Sequence, residues 1–456
     1  MLSCDTFAVC AARSETKGNL LCKNSDRPLG EAQPLFFSRA RDHKKREMLR
    51  TTNLLIPEHE HTFSVLGAKP YWIWGFEIGC NECGVVIGNE AQGSRNAETD
   101  AEGILGMDLL RLGLERGETA EAEMNVITAL LEQYGQNANA NALFDRRYEN
   151  SFLIMDAKEI WLLETAGREW AAKRVTDFLG ISNCYAIETD YDRLSENCEA
   201  LARERGWARP DGKFNFAESY TLAAPRQTNA LPRFRRLNAL LSASDTIGFD
   251  ECKRILRDHF EGEWNEPRFG ASTATFSTVC MHAAAWDSAQ TASSWLVSRD
   301  EALGLILRVA FSTPCRSAYL PVYMTGRLPK LLTKGKQFYD EESLWWRLER
   351  LGLLVSVDEA RYAGDIERAM ALFEARCGDD IARREDEARS RIRSGDAESA
   401  SAILTELMND TADLLYAVAC FETDRLVGRI AAAGGIVGPR ADFIRAYAER
   451  THMPLL

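Results

Sequence analysis

A layered α+β fold is what this sequence predicts, and three observations predict it. Short apolar runs bounded by turn residues open the chain, two strongly periodic helical segments follow from about residue 105, and strands resume after them. Beyond about Pro329 the strand signals vanish and charged helical stretches take over. Together these divide the chain into a catalytic-sized α+β region, residues 1–330, and a helical C-terminal region, residues 331–456.

The elements follow in order. Residues 6–11 (TFAVCA) read as a strand, Glu15-Thr16-Lys17-Gly18-Asn19 as a turn, and residues 20–23 as a second strand that Asn24-Ser25-Asp26-Arg27-Pro28 ends. Such a hairpin is expected to bring Cys4 near Asp26. Further strands are expected at 62–66, 84–88, 151–155 and 160–164. Residues 105–116 and 119–134 carry apolar side chains at spacings of three and four, with Gly117-Glu118 between them and Thr119 placed to start the second helix. Helices are also expected at 233–242, 250–260, 341–354, 358–377 and 380–400. No internal repeat of fixed period occurs.

Composition narrows the function classes. Hydrophobic residues make up 45% and charged residues 27%, which permits a sizeable core and argues against disorder. The formal charge of -13 is spread along the chain, a field that repels phosphate backbones, so no nucleic-acid partner is expected. Residues 1–13 lack a cationic start and an apolar run of secretory length, and no stretch reaches the roughly 18 apolar residues of a membrane helix, so the expected location is cytoplasmic with no membrane contact. Twelve cysteines over 456 residues then read as reduced thiols.

Cys4 is the first residue with chemical promise. If Met1-Leu2-Ser3 were lost, its α-amine (pKa about 7.7–8.0) and thiol (about 8.5) would form a nucleophile carrying its own base. Leu2 is too bulky for simple methionine removal, which leaves attack of Cys4 on the Ser3–Cys4 bond as the physical route. A near-terminal cysteine on its own is more often an incidental buried thiol.

Longer motifs change that balance. Cys4-Asp5-Thr6, Lys23-Asn24-Ser25-Asp26-Arg27-Pro28, Pro70-Tyr71-Trp72-Ile73-Trp74-Gly75, and Asn81-Glu82-Cys83-Gly84 followed by Asn89-Glu90-Ala91 occur in the order seen in secernins and C69 dipeptidases. The run from Leu105 to Ala120, together with Leu163-Glu164-Thr165-Ala166-Gly167, Trp170-Ala171-Ala172 and Ile181-Ser182-Asn183, resembles the secernin branch. The resemblance covers roughly residues 4–330, with an echo at Glu342-Ser343-Leu344-Trp345-Trp346. It implies the four-layer αββα sandwich of N-terminal-nucleophile hydrolases, with a helical C-terminal extension, and hydrolysis of amide bonds.

The resemblance also implies roles. Lys23-x-x-Asp26 matches an Arg-x-x-Asp element of related hydrolases with Lys in place of Arg: Asp26 would orient the Cys4 amine, and Lys23 would stand near thiol and substrate. Without the resemblance, Asp26 reads as a turn residue. Asn81 would donate its amide to the developing oxyanion, though an Asn before a glycine turn has a structural reading as well. Asn183 matches the second pocket Asn, and Arg233 an Arg-Phe helix start, where Arg235 or Arg236 could take the part and a solvated basic turn is equally open. Trp72 and Trp74 are candidate pocket walls, with core packing at least as good a reading.

Other constellations carry less. Cys80-x-x-Cys83 has no second ligand pair at compatible spacing, and His59-Glu60-His61 has no third ligand. His282, in Val279-Cys280-Met281-His282, is expected to be structural or substrate-contacting, because a Cys-first enzyme has its own base. The acidic run 188–192 reads as a solvated turn, and no phosphate loop is present. The expectation is a cysteine amidohydrolase acting on a small peptide or amide, a dipeptide above all, with no metal and no cofactor. An acyltransferase using the same thioester and a non-catalytic secernin-like interaction protein stand as alternatives, and self-association into a homo-oligomer is left open.

Overall fold

A computed structural model describes residues 4–98, 102–222, 230–267, 270–273, 277–285 and 288–456. The expected loss of residues 1–3 therefore lies outside the described residues. The chain divides into two compact units, one of residues 1–23 and 36–249, the other of residues 24–35 and 250–456. The dividing point is thus not residue 330: the strands between 289 and 322 share a unit with the C-terminal helices, which cover them.

In the first unit, β1 (Asp5–Val9) lies beside the opening residues of β2 (Leu20–Pro28), the strand that carries the chain into the second unit. The chain continues through β3 (Leu35–Ser38), the small strands β4 (Arg41–Asp42), β5 (Met48–Arg50), β6 (Leu55–Pro57) and β7 (His61–Thr62), then β8 (Val65–Ala68), β9 (Ile78–Asn81) and β10 (Val86–Gln92). After α1 (Gly106–Arg116) and α2 (Ala120–Tyr134) come β11 (Glu149–Met155), β12 (Ile160–Ala166), β13 (Glu169–Arg174), β14 (Phe178–Ile181) and β15 (Arg193–Leu194). The short helices α3 (Cys198–Glu204) and α4 (Phe216–Tyr220) precede α5 (Ala230–Ser242). Among the described residues an eight-stranded sheet runs in the order β15-β13-β12-β11-β10-β9-β8-β3, antiparallel from β15 through β8, and β14-β1-β2 begins a second sheet.

The layering of this unit follows from which faces are apolar. Ile87, Phe152, Ile154, Trp161 and Leu163, at alternating positions of their strands, pack with Leu109, Leu112, Ile127 and Leu131 of α1 and α2. Turned the other way, the sheet packs against β1 through β10 and β11, and α5 covers β14 and β1. The order of layers is α, β, β, α, the sandwich that the resemblance implied. Close approach of the sheets is allowed at Gly88, where a Cβ would come within 3.2 Å of Lys23 and 3.3 Å of Thr6.

The second unit begins with β2 itself, which does not stop at the expected turn. Asn24 donates to the carbonyls of Leu256 and Val279 at 2.8 Å each, Asp26 accepts from Thr291 at 2.6 Å, and Arg27 pairs with Glu31 at 2.8 Å. Asn24, Asp26 and Arg27 thus each find a partner within the second unit, and the strand runs on to Pro28. Following α6 (Phe249–Leu256), the strands β16 (Ala289–Asp300), β17 (Gly304–Phe311) and β18 (Leu320–Val322) extend from β2 in that order. Helices α7 (Lys330–Thr333), α8 (Leu344–Val355), α9 (Glu359–Arg393), α10 (Ala397–Ala432) and α11 (Ala441–Thr451) complete the chain, with α8 packed on β17 and α10 on β18. Where two helices were expected over 358–377 and 380–400, α9 runs unbroken through Gly378. The break comes at Gly395, whose φ of 82° ends the turn, and Asp396 then caps α10 by accepting from the Ser399 amide at 3.1 Å.

Candidate active site

The N-terminal end of β1 is where three of the expected site residues, Cys4, Asn183 and Arg233, gather. Antiparallel pairing with β14 runs from Val9 opposite Phe178 to Thr6 opposite Ile181, so the chain just past β14 is carried alongside Cys4 and Asp5. Asn183 sits on that continuation. Above β14, α5 docks closely because Gly180 has no side chain: a Cβ there would meet Leu237 at 2.7 Å, and Asn238 exchanges hydrogen bonds with the Gly180 backbone at 3.0 and 2.8 Å. One turn earlier on α5, Arg233 reaches down to the strand end.

Arg233 has no exposed surface and bridges three groups. Its guanidinium donates to the Cys4 carbonyl at 3.0 Å, to Asp5 Oδ2 at 2.7 Å and to Asn183 Oδ1 at 2.8 Å. Asn183 in turn donates to the Ala91 carbonyl at 2.8 Å, and Gln92 to the Ser182 carbonyl at 3.0 Å. Cys4, Asn183 and Arg233 are therefore held together by charge-assisted contacts, and the register left open among Arg233, Arg235 and Arg236 falls on Arg233. Cys4 is itself 5% exposed.

Two carboxyls beside the site change character on burial. Asp5 is raised above its ordinary value because burial outweighs the Arg233 guanidinium next to it. Glu90 is pushed up to about 8 by burial, against the Lys23 charge, and accepts a short hydrogen bond from Thr6. Sequence reasoning assigned no role to Asp5, Glu90 or Gln92. Asp5 and Glu90 stood inside the matching motifs, but nothing in one sequence shows that β10 crosses β1.

Other expected residues do different work. Lys23 is wholly buried, donates to the Asn89 carbonyl and lies 3.5 Å from Glu90 and 4.0 Å from Glu77, so it is an internal ion-pair partner and not a substrate contact. Asn81 also departs from its expected role. Its amide donates to the carbonyls of Leu114 at 3.0 Å and Gly117 at 2.8 Å and to Glu123 at 2.8 Å, while its oxygen accepts from Val85 at 3.0 Å. Those partners belong to the end of α1 and the start of α2, so the Asn81 amide caps the helix layer in this structure. Trp72 packs with Ile73, Leu105 and Met107, and Trp74 packs on the helix-side core with the Arg111 guanidinium 4.0 Å over its ring, so both are packing groups.

Asp26 and His282 belong to the second unit. Asp26 meets Thr291 as described, and His282 lies among His259, Cys280 and Cys315. Cys80 and Cys83 are both held as thiols, Cys80 well above the ordinary value and Cys83 at about 11, in each case through burial and neighbouring acids. His59 and His61 are exposed, His61 pairing with Asp42 at 2.7 Å. A cavity of about 450 Å³ opens in the second unit beside Ser272, Glu359, Tyr362 and Arg440.

The structure is similar to a mutant conjugated bile acid hydrolase from Clostridium perfringens at 12% identity, covering 73% of this chain and 95% of that one with a TM-score of 0.41, and to a second variant of the same hydrolase with the same figures. It is also similar to a penicillin V acylase from Agrobacterium tumefaciens at 12% identity, covering 71% and 87% with a TM-score of 0.38. The family model for Peptidase family C69 matches residues 61–229, which include Asn81 and Asn183 but not Cys4 or Arg233. Over residues 61–229, then, this chain is similar to peptidase family C69.

Proposed function

We propose that the chain is a cysteine N-terminal-nucleophile hydrolase that cleaves a small amide substrate, a dipeptide, through a thioester on Cys4. The observation that carries this reading is the clamp of Arg233 on the Cys4 carbonyl, Asp5 and Asn183, which fixes the one residue able to unite thiol and α-amine. Removal of residues 1–3 frees the amine. The Cys4 sulfur then attacks the substrate carbonyl, its proton passing to the α-amine and on to the departing amine. Water adds to the thioester, the acid leaves, and the thiol regains its proton.

Two measurements test this. The intact mass of purified protein is expected to lack Met1 to Ser3, and Cys4→Ala is expected to retain those residues, keep its unfolding temperature and lose dipeptide hydrolysis entirely. Undiminished turnover by Cys4→Ala would refute the assignment. Adding amine acceptors to the same assay separates hydrolysis from acyl transfer, since an acyltransferase would form new amides at the expense of free acid.

A further inference from the structure

Three separate stretches of the second unit converge on one point. His259 follows α6 in a tight turn in which Asp258 accepts from the Phe260 amide at 3.0 Å and Phe260 takes a φ of 66°. The segment carrying Cys280 and His282 is tied to that turn by the Cys280 amide, which donates to the Asp258 carbonyl at 3.0 Å, and to β16 by the Met281 amide on Thr291 at 2.9 Å. Cys315 sits in a single 3-10 turn, Pro314–Arg316, directly after β17.

At the meeting point, His282 Nε2 lies 3.2 Å from His259 Nε2, 3.2 Å from Cys315 Sγ and 3.6 Å from Cys280 Sγ. One ligand atom from each of the four residues lies within 4.8 Å of every other. A tetrahedron with metal–nitrogen bonds of about 2.0–2.1 Å and metal–sulfur bonds of about 2.3 Å has edges of roughly 3.3–3.8 Å, close to the spacings found. His259 also meets Glu261 through Nδ1 at 3.2 Å. An imidazole donating from Nδ1 to a carboxylate presents the Nε2 lone pair inward, the arrangement that supports a metal-bound histidine.

From this geometry we infer that His259, Cys280, His282 and Cys315 bind a zinc ion in a closed, structural Cys2His2 site. Two thiols and two imidazoles in a tetrahedral array suit zinc, and four protein ligands leave no open position for substrate water. Binding releases the two thiol protons, so the dication and two thiolates cancel within a buried cluster. The ligand order His-x20-Cys-x-His-x32-Cys matches no common zinc spacing, which is why sequence reasoning gave His282 a different role and expected no metal.

The experiment is metal analysis of the full chain after incubation with zinc chloride and desalting. One zinc per chain is expected, and cobalt chloride in its place is expected to give the strong visible bands of a tetrahedral thiolate site. Cys280→Ser with Cys315→Ser is expected to abolish both, Cys80→Ser with Cys83→Ser to change neither, and Glu261→Gln to weaken zinc about 10–100-fold while the protein stays folded. Wild-type protein that binds no zinc, or zinc that survives loss of Cys280 and Cys315, would overturn the site. Should the double cysteine variant fail to fold, the cobalt spectrum of the wild type and the Glu261→Gln affinity still decide.

Discussion

Arg233 and Asp5 form an ion pair without solvent, and their worth lies in being broken, not in being made. Removing one partner of such a pair typically costs about 3–5 kcal/mol, because the other charge stays buried and uncompensated. Arg233→Met is therefore expected to lower the unfolding free energy by about that amount, since Asp5 and Asn183 lose their donor together. Adding Asp5→Asn to the same protein should recover part of the loss, because the stranded carboxylate is gone. Urea unfolding of the two single variants and the double reads the coupling directly, and strict additivity would mean that the two residues do not share one interaction. Catalysis should fall in the two variants that lack Arg233, because the Cys4 carbonyl loses its anchor.

Among the elements, the junction of β9, α1 and α2 decides the role of Asn81. A side-chain amide that closes the carbonyl end of α1 and reaches Glu123 in the first turn of α2 is a structural cap. Asn81→Ala is expected to cost about 1–3 kcal/mol by leaving buried groups unpaired, with little change in kcat for the folded fraction. A fall of about 10²–10³ in kcat at unchanged stability would instead restore the oxyanion role. This element also shows what one sequence can and cannot tell. The helix pair 105–134 and the strands around 151–166 were legible because their apolar spacing is strong, and the αββα order came from motif resemblance. The cap made by Asn81 was not legible, because an Asn-x-x-Gly turn looks the same whichever face of the sheet its side chain takes. The hairpin β16–β17 left no mark because its strands are buried on both faces and so lack alternation. The carry-through of β2 to Pro28 and the His259 cluster rest on partners more than 200 and about 20 to 55 residues away, which local chemistry does not announce.

At the scale of the molecule, a chain of formal charge -13 hides several of its acids, and those acids give its stability a pH dependence. Burial pushes Glu90, Glu149 and Glu164 each up to about 8 from 4.5, against Lys23 for Glu90, the Gly167 amide for Glu149 and the amides of Ile187 and Ala186 for Glu164. Between those values the folded state holds protons that the unfolded chain has released. Stability contributed by these groups therefore falls as pH rises from about 4.5 through about 8 and levels off above it. Other acids have lowered values and act in the opposite direction, Glu261 at about 2 being one, so the clean test is a difference between proteins. Glu149→Gln keeps an oxygen for the Gly167 amide, which Glu149 now accepts at 3.0 Å, and cannot titrate. The unfolding free energy of Glu149→Gln minus that of the native protein is expected to climb with pH across the window and then flatten. Chemical unfolding at several pH values between 4.5 and 9 measures it, and a difference that stays level would show that Glu149 ionises in the folded chain as it does in water.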